Sequence, residues 1–122
     1  MTLTIKTDQT GLSMFLRPYQ QIALQCIWDA EGGKSSREVW EYVNDNLPNG
    51  SISRASVINF LNYMVDEGLL DFETTTGKGG HRRIYHQKYD LSEFKLTLIN
   101  ISLNALKKSF PEETTKIIQG FL

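Results

Sequence analysis

Apolar positions in residues 52–70, ISRASVINFLNYMVDEGLL, recur at the spacing of one helix face. Val57, Phe60, Leu61, Met64 and Val65 fall on one side, and Ala55, Ser56, Asn59, Asn62 and Tyr63 on the other. Ser53 stands where its hydroxyl can accept from a free N–H of the first turn, and Gly68 follows the last polar residue as a helix stop. The polar face carries no charge through Tyr63. A solvated face ordinarily carries Lys and Glu. Small and amide side chains instead suit a surface that must approach base edges, with Asn a bidentate partner for adenine and Ala or Ser beside a thymine methyl. The competing reading is an ordinary amphipathic helix with a polar back.

The same period predicts two earlier helices. In residues 17–31, Tyr19, Ile22, Ala23, Cys26 and Ile27 form a stripe widened by Leu24 and Trp28, with Pro18 at an early helical position and Gly32-Gly33 as the stop. Cys26 on that stripe reads as a small buried hydrophobe rather than a reactive thiol. In residues 35–47, Ser35 and Glu38 have capping-box spacing, Val39, Trp40, Val43 and Leu47 give the core side, and Pro48-Asn49-Gly50 ends the helix. Ser51-Ile52 is expected as a very short strand. Residues 1–12 are Thr-rich, with Leu3 and Ile5 alternating; chain ends without a packed face fray, so a flexible tail is preferred over a strand.

After Gly68 the period changes to two. Residues 70–75 alternate apolar with polar, residues 76–80 are a Gly-rich tip, and residues 81–89, HRRIYHQKY, return, which together predict a β-hairpin. Residues 91–109 form a further helix, in which Leu91, Phe94, Leu98, Ile101, Leu103 and Leu106 leave much of the circumference apolar. Pro111 opens a last helix with acid in its first turn and Ile117, Ile118, Phe121 and Leu122 along it. Such a tail either packs back on its own domain or forms a dimer interface through Leu91, Phe94, Leu98, Ile101, Ile117, Ile118 and Phe121; the dimer is preferred.

The chain has 122 residues, 40% hydrophobic, with a formal net charge of −1, so a basic total does not announce a nucleic-acid partner. The distribution does. Lys78, His81, Arg82, Arg83, His86 and Lys88 all lie in the hairpin, and no acidic residue occurs between Thr74 and Tyr89. A basic prong of this kind sits on phosphates or in a minor groove, although a basic strand edge also deters sheet aggregation. The single cysteine excludes an internal disulfide and fits a reducing cytoplasm, and no long apolar run or signal peptide is present, so no membrane role is expected. GKGG at 77–80 lacks the ending of a phosphate-cradling loop. His81 and His86, five apart on a strand, fall on opposite faces with no Cys or carboxylate expected nearby, so no metal or other cofactor is expected. No nucleophile–base or paired-carboxylate context points to an enzyme.

Helix, helix, short strand, helix, hairpin is the order of the winged helix-turn-helix: an α+β, mostly α fold with three helices and a hairpin wing, here spanning 13–90 and followed by a C-terminal helical dimerisation segment over 91–122. In detail LQCIWDAEGGKSSREVWEYV, SISRASVINFLNYMVDEGLL and RRIYHQKY resemble the penicillinase repressor group, which includes the β-lactamase, methicillin-resistance and copper-transport operon repressors. The resemblance covers about residues 15–89. It implies a dimeric repressor on a palindromic operator of double-stranded DNA, with Arg54, Ala55, Ser56 and Asn59 facing bases and Asn62 and Tyr63 nearer phosphate. Ser53, the cap of that helix, would also lie at the DNA. Ser36 and Arg37 would touch the backbone at the start of the second helix, and Lys78, Arg82 and Arg83 in the wing would add backbone or minor-groove contacts. Copper-responsive members carry a C-terminal cysteine cluster that this chain lacks, and no inducer is assigned. A winged helix serving only protein–protein interaction is the alternative, favoured by Asp66, Glu67, Asp71 and Glu73 near the third helix.

Overall fold

A computed structural model describes residues 3–77 and 79–122. The chain divides into two units, Met1–Tyr89 and Asp90–Leu122.

The first unit holds three helices and a three-stranded sheet. Helix α1 (Pro18–Trp28) carries its proline in the first turn, where the missing N–H has no helical partner to lose. Strand β1 (Lys34–Ser35) leads directly into α2 (Ser36–Asn46). Ser35 caps α2 as the spacing predicts: its hydroxyl accepts from the Glu38 N–H at 3.2 Å while the Glu38 carboxylate accepts from the Ser35 N–H at 3.0 Å. Helix α3 (Arg54–Asp66) is capped by Ser53. It closes in a Schellman turn, with Leu69 N–H bonded to Met64 O at 2.8 Å, Gly68 N–H to Val65 O at 3.0 Å, and Gly68 at φ +77°. Strands β2 (Leu70–Gly77) and β3 (Gly80–Gln87) follow.

The core is the set of seams read from the period. Ala23, Leu24, Cys26 and Ile27 of α1, Val39 and Val43 of α2, and Val57, Phe60, Leu61 and Met64 of α3 are all buried. Tyr19 of α1 meets Phe60 of α3 edge to face at 6.1 Å between centroids. Leu69, Leu70 and Tyr85 extend this core onto the sheet.

The sheet order is β1-β3-β2, antiparallel throughout. The short strand is therefore at Lys34–Ser35, pairing with Tyr85 and Ile84, and not at Ser51-Ile52. Ile52 has other partners: Asn44 Oδ1 accepts its N–H at 2.8 Å, and Asn44 Nδ2 and Trp40 Nε1 donate to its carbonyl at 3.2 and 2.9 Å. Side chains of α2 thus occupy the backbone groups a ladder would need. Gly33 lets β1 approach β3, at φ +85°, where a Cβ would lie 2.6 Å from the His86 ring and 2.8 Å from Ile84 Cγ2.

The amino-terminal residues expected to fray touch the domain at two points. Leu3 N–H donates to the Tyr63 hydroxyl of α3, and Lys6 N–H donates to Met14 O at 2.7 Å, ahead of a short 3-10 helix at Gly11–Met14.

The second unit is α4 (Leu91–Ser109) and α5 (Pro111–Gly120), in contact with each other. Asp90 and Glu93 form a capping box at the start of α4, and Lys107 and Lys108 face the negative end of its dipole. Phe94 and Leu98, assigned from the sequence to a dimer seam, are buried within the single chain; the exposed apolar side chains of this unit are Leu91, Leu96, Ile99, Leu103, Leu106, Phe110, Ile117, Phe121 and Leu122. Ile101 and Ile118 are half-buried. Three helices, a short first strand paired to the hairpin and a protruding wing make the first unit a winged helix, and the whole chain α+β with helix predominating.

Candidate nucleic-acid interface

The start of α3 presents side chains to solvent in the order the sequence suggests. Ser53, Arg54, Ala55 and Asn59 are exposed and Ser56 is half-buried. Ser53 Oγ accepts from Ser56 N–H at 3.1 Å and lies 2.9 Å from Ser56 Oγ, so the two hydroxyls are already paired at the helix start. Arg54, Ala55 and Asn59 are the members of this face whose side chains are open to a base edge or a phosphate. At the head of α2, Ser36 is half-buried and Arg37 is exposed, its Nε 3.2 Å from Glu41 Oε1. An exposed i,i+4 pair of this kind contributes little, so exchanging Glu41 for a phosphate costs little.

The wing is organised by strand alternation. The register sets Phe72 against Tyr85 and Thr74 against Arg83, so these four side chains share one face. Arg82, opposite Thr75, lies on the other face with Glu73, Ile84 and His86. Arg82 and Arg83 are neighbours in sequence and point to opposite sides. Arg82 is exposed, whereas Arg83 is half-buried and engaged twice: its guanidinium lies 4.0 Å from the centroid of the Phe72 ring, and Nη1 donates to Asn62 Oδ1 at 3.1 Å. Tyr85, buried on the same face, donates its hydroxyl to the same Asn62 oxygen at 2.6 Å. Burial pushes the Tyr85 phenol up, with the nearby Arg83 charge pulling it back in part, so it remains a donor at neutral pH.

Two residues assigned to phosphate make contacts within the unit. Asn62 faces the wing through its oxygen. Tyr63 is half-buried and accepts from the Leu3 N–H, and burial pushes its phenol up as well. Lys78, the remaining wing cation singled out, lies outside the described residues. Exposed His81 faces opposite to His86, as the odd spacing requires. A carboxylate does stand by His86: Glu73 Oε1 is 3.1 Å from its Nε2, a diagonal cross-strand contact that only the register reveals. No group of three or more His, Cys, Asp or Glu comes together among the described residues. Cys26 is buried, and its burial pushes the thiol up. Among the described residues no helix is long and apolar enough to cross a membrane.

Sequence reasoning missed Asn44, Tyr85 and Phe72 as structural supports of this candidate surface and assigned Trp40 only to the core. Alternation along the hairpin could have put Phe72, Arg83 and Tyr85 on one face; no sequence pattern marks the reach of Asn44 to Ile52.

No family model matches the chain, and no curated protein matches it, so the penicillinase-repressor resemblance acquires no support from those comparisons. Among solved structures the chain is similar to the Aeropyrum pernix ORC1 protein in complex with DNA, with a TM-score of 0.56 and 17% identity over 68% of this chain. The match spans 24% of the ORC1 chain, and at that identity the likeness is one of fold.

Proposed function

We propose that the chain is a sequence-specific DNA-binding regulator, acting as a cytoplasmic dimeric repressor and not as an enzyme. The observation that carries this reading is the juxtaposition in one unit of an open, weakly charged α3 face, bearing Arg54, Ala55 and Asn59, with an exposed wing arginine, Arg82. Asn59 is suited to a bidentate contact with adenine, Ala55 to a thymine methyl, and Arg37, Arg54 and Arg82 to phosphates. The ORC1 structure of like fold holds DNA, which supports the same class of partner here. So does the resemblance to the penicillinase repressors carried by residues 15–89.

A dimer is supported by α4. Leu96, Ile99, Leu103, Leu106 and Phe110 are exposed and recur at alternating intervals of three and four, the spacing of a helix–helix seam. A two-fold pair would read two half-sites about one helical turn apart.

The test is selection of bound duplexes from a random pool, then titration of the selected duplex across salt. Three arginines per copy neutralising one phosphate each give a slope of log affinity on log salt near −2.7, at about 0.9 per phosphate, and a two-fold pair gives about −5. A slope near zero with no enriched sequence would overturn the reading in favour of a protein-interaction module, to which the exposed Asp66, Glu67, Asp71 and Glu73 would then belong.

A further inference from the structure

We infer that Asn62 is a positioning residue: its amide oxygen, accepting from both Arg83 and Tyr85, sets the angle at which the wing leaves α3, so that base reading and phosphate contact share one geometry. The inference rests on the DNA-binding reading above.

Asn62 lies three residues beyond Asn59, on the same side of α3. An amide oxygen has two lone pairs, and both are used here: Tyr85 Oη at 2.6 Å and Arg83 Nη1 at 3.1 Å. The donors come from the return strand of the wing, and neither is loose. Tyr85 is 2% exposed, with its ring among core side chains. The Arg83 guanidinium carbon lies over the Phe72 ring of the outgoing strand, 4.0 Å from its centroid. One side-chain atom of α3 is therefore tied to both strands of the hairpin, to β3 directly and to β2 through Arg83.

The lever arm makes this consequential. Arg82 pairs with Thr75, five residues from the point where β2 leaves α3 at Leu70. At about 3.4 Å per residue that is roughly 17 Å, so a rotation of about 15° at the base carries Arg82 by about 4 Å, more than the length of a hydrogen bond. Asn62 is neutral. Its replacement cannot by itself change the number of counterions released on binding, so any change of salt slope reports the cations of the wing moving.

The experiment compares the wild-type chain with Asn62→Ala, Asn62→Asp and Tyr85→Phe. Each is titrated with a selected duplex and with a random duplex across salt, and backbone amide exchange is followed without DNA. Asn62→Ala should shallow the salt slope by about one unit per copy and weaken binding to the selected duplex about tenfold. Its amides at 72–85 should exchange at least fivefold faster, with those at 18–46 unchanged. Asn62→Asp keeps an acceptor for both donors and should return the wing amides to the wild-type exchange rate, read without DNA so that its added charge does not enter the comparison; a residue acting only through fold stability would give no such split. Wild-type slope and wing exchange in Asn62→Ala would overturn the inference. Should Asn62→Ala fail to fold, Tyr85→Phe, which leaves the ring and the Arg83 bond in place, decides the matter: a smaller change of the same sign supports the lock, and unchanged slope and exchange overturn it. A wild type without salt-dependent duplex binding would sink the functional reading, and the exchange data would still judge the lock.

Discussion

Replacing Asn44 by Ala should loosen α3 from α2 without touching the apolar core. Asn44 makes three hydrogen bonds: Oδ1 accepts the Ile52 N–H at 2.8 Å, and Nδ2 donates to Ile52 O at 3.2 Å and Trp40 O at 3.1 Å. Trp40 O is already a helix carbonyl, so its loss counts little. The two bonds to Ile52 are each worth about 1 kcal/mol net, and because Ile52 is half-buried water replaces them only in part, giving a loss of about 1–3 kcal/mol. In a domain of this size that is a fall of roughly 5–15 °C in Tm, read by far-UV circular dichroism. Trp40→Phe removes only the Nε1 bond to the same carbonyl, 2.9 Å long, and should cost about 1 kcal/mol. The double variant should lose more than the two singles together, by at least about 0.5 kcal/mol, because the Ile52 carbonyl then has neither donor. A melt of Asn44→Ala within a degree of wild type, or a strictly additive cycle, would refute the idea that these two side chains hold the turn.

Two further outcomes follow from local geometry. Gly33→Ala forces a Cβ to 2.6 Å from the His86 ring and 2.8 Å from Ile84 Cγ2 at φ +85°, so urea unfolding should show a loss of about 1–3 kcal/mol; adding His86→Ala should recover only part of it, since Ile84 and the positive φ remain. Glu38 is held below the ordinary glutamate value, first by the Ser35 backbone N–H, with the Ser35 hydroxyl and Lys34 assisting against its partial burial. Its contribution is therefore present above the unfolded-state value and is lost as pH falls through the lower folded value. The urea midpoint of Glu38→Gln should start below that of wild type at neutral pH and fall less between pH 6 and 3; a parallel fall in both would show the carboxylate to be thermodynamically silent.

How much of this was readable beforehand depends on the range of each interaction. Helix seams are local periodicities, and the buried sets of α1, α2 and α3 were legible as stripes. So were the Ser35, Ser53 and Gly68 boundaries, because a cap needs only its own turn. Strand β1 was not: two residues carry no period, and their partners Tyr85 and Ile84 lie about fifty positions away. Asn44 was illegible for a related reason, since an Asn on a polar helix face gives no sign that it will satisfy a backbone eight residues on.

The wing and α4 show a different failure, in which the pattern was present and was read by neighbourhood rather than by face. Arg82 and Arg83 count as one basic cluster in composition, but a strand of period two separates them: one is exposed, and the other is drawn to Asn62 and Phe72. Charge near a candidate site is therefore no measure of charge available to it, and the cation to mutate in testing phosphate binding is Arg82. On α4 apolar residues occupy most of the circumference, so periodicity alone cannot choose between the Phe94–Leu98 stripe and the Leu96–Ile99–Leu103–Leu106 stripe. Burial chooses: the first is covered in the single chain and the second is not. A charge placed at Leu98 would strike a buried position of the single chain, and loss of folding there would be mistaken for loss of a dimer. Leu103→Lys, on the exposed stripe, tests the proposed dimer: a dimeric wild type with a variant that sediments as a monomer at wild-type Tm argues for a seam between copies, and a monomeric wild type, or a dimer that the substitution leaves unchanged, refutes that seam.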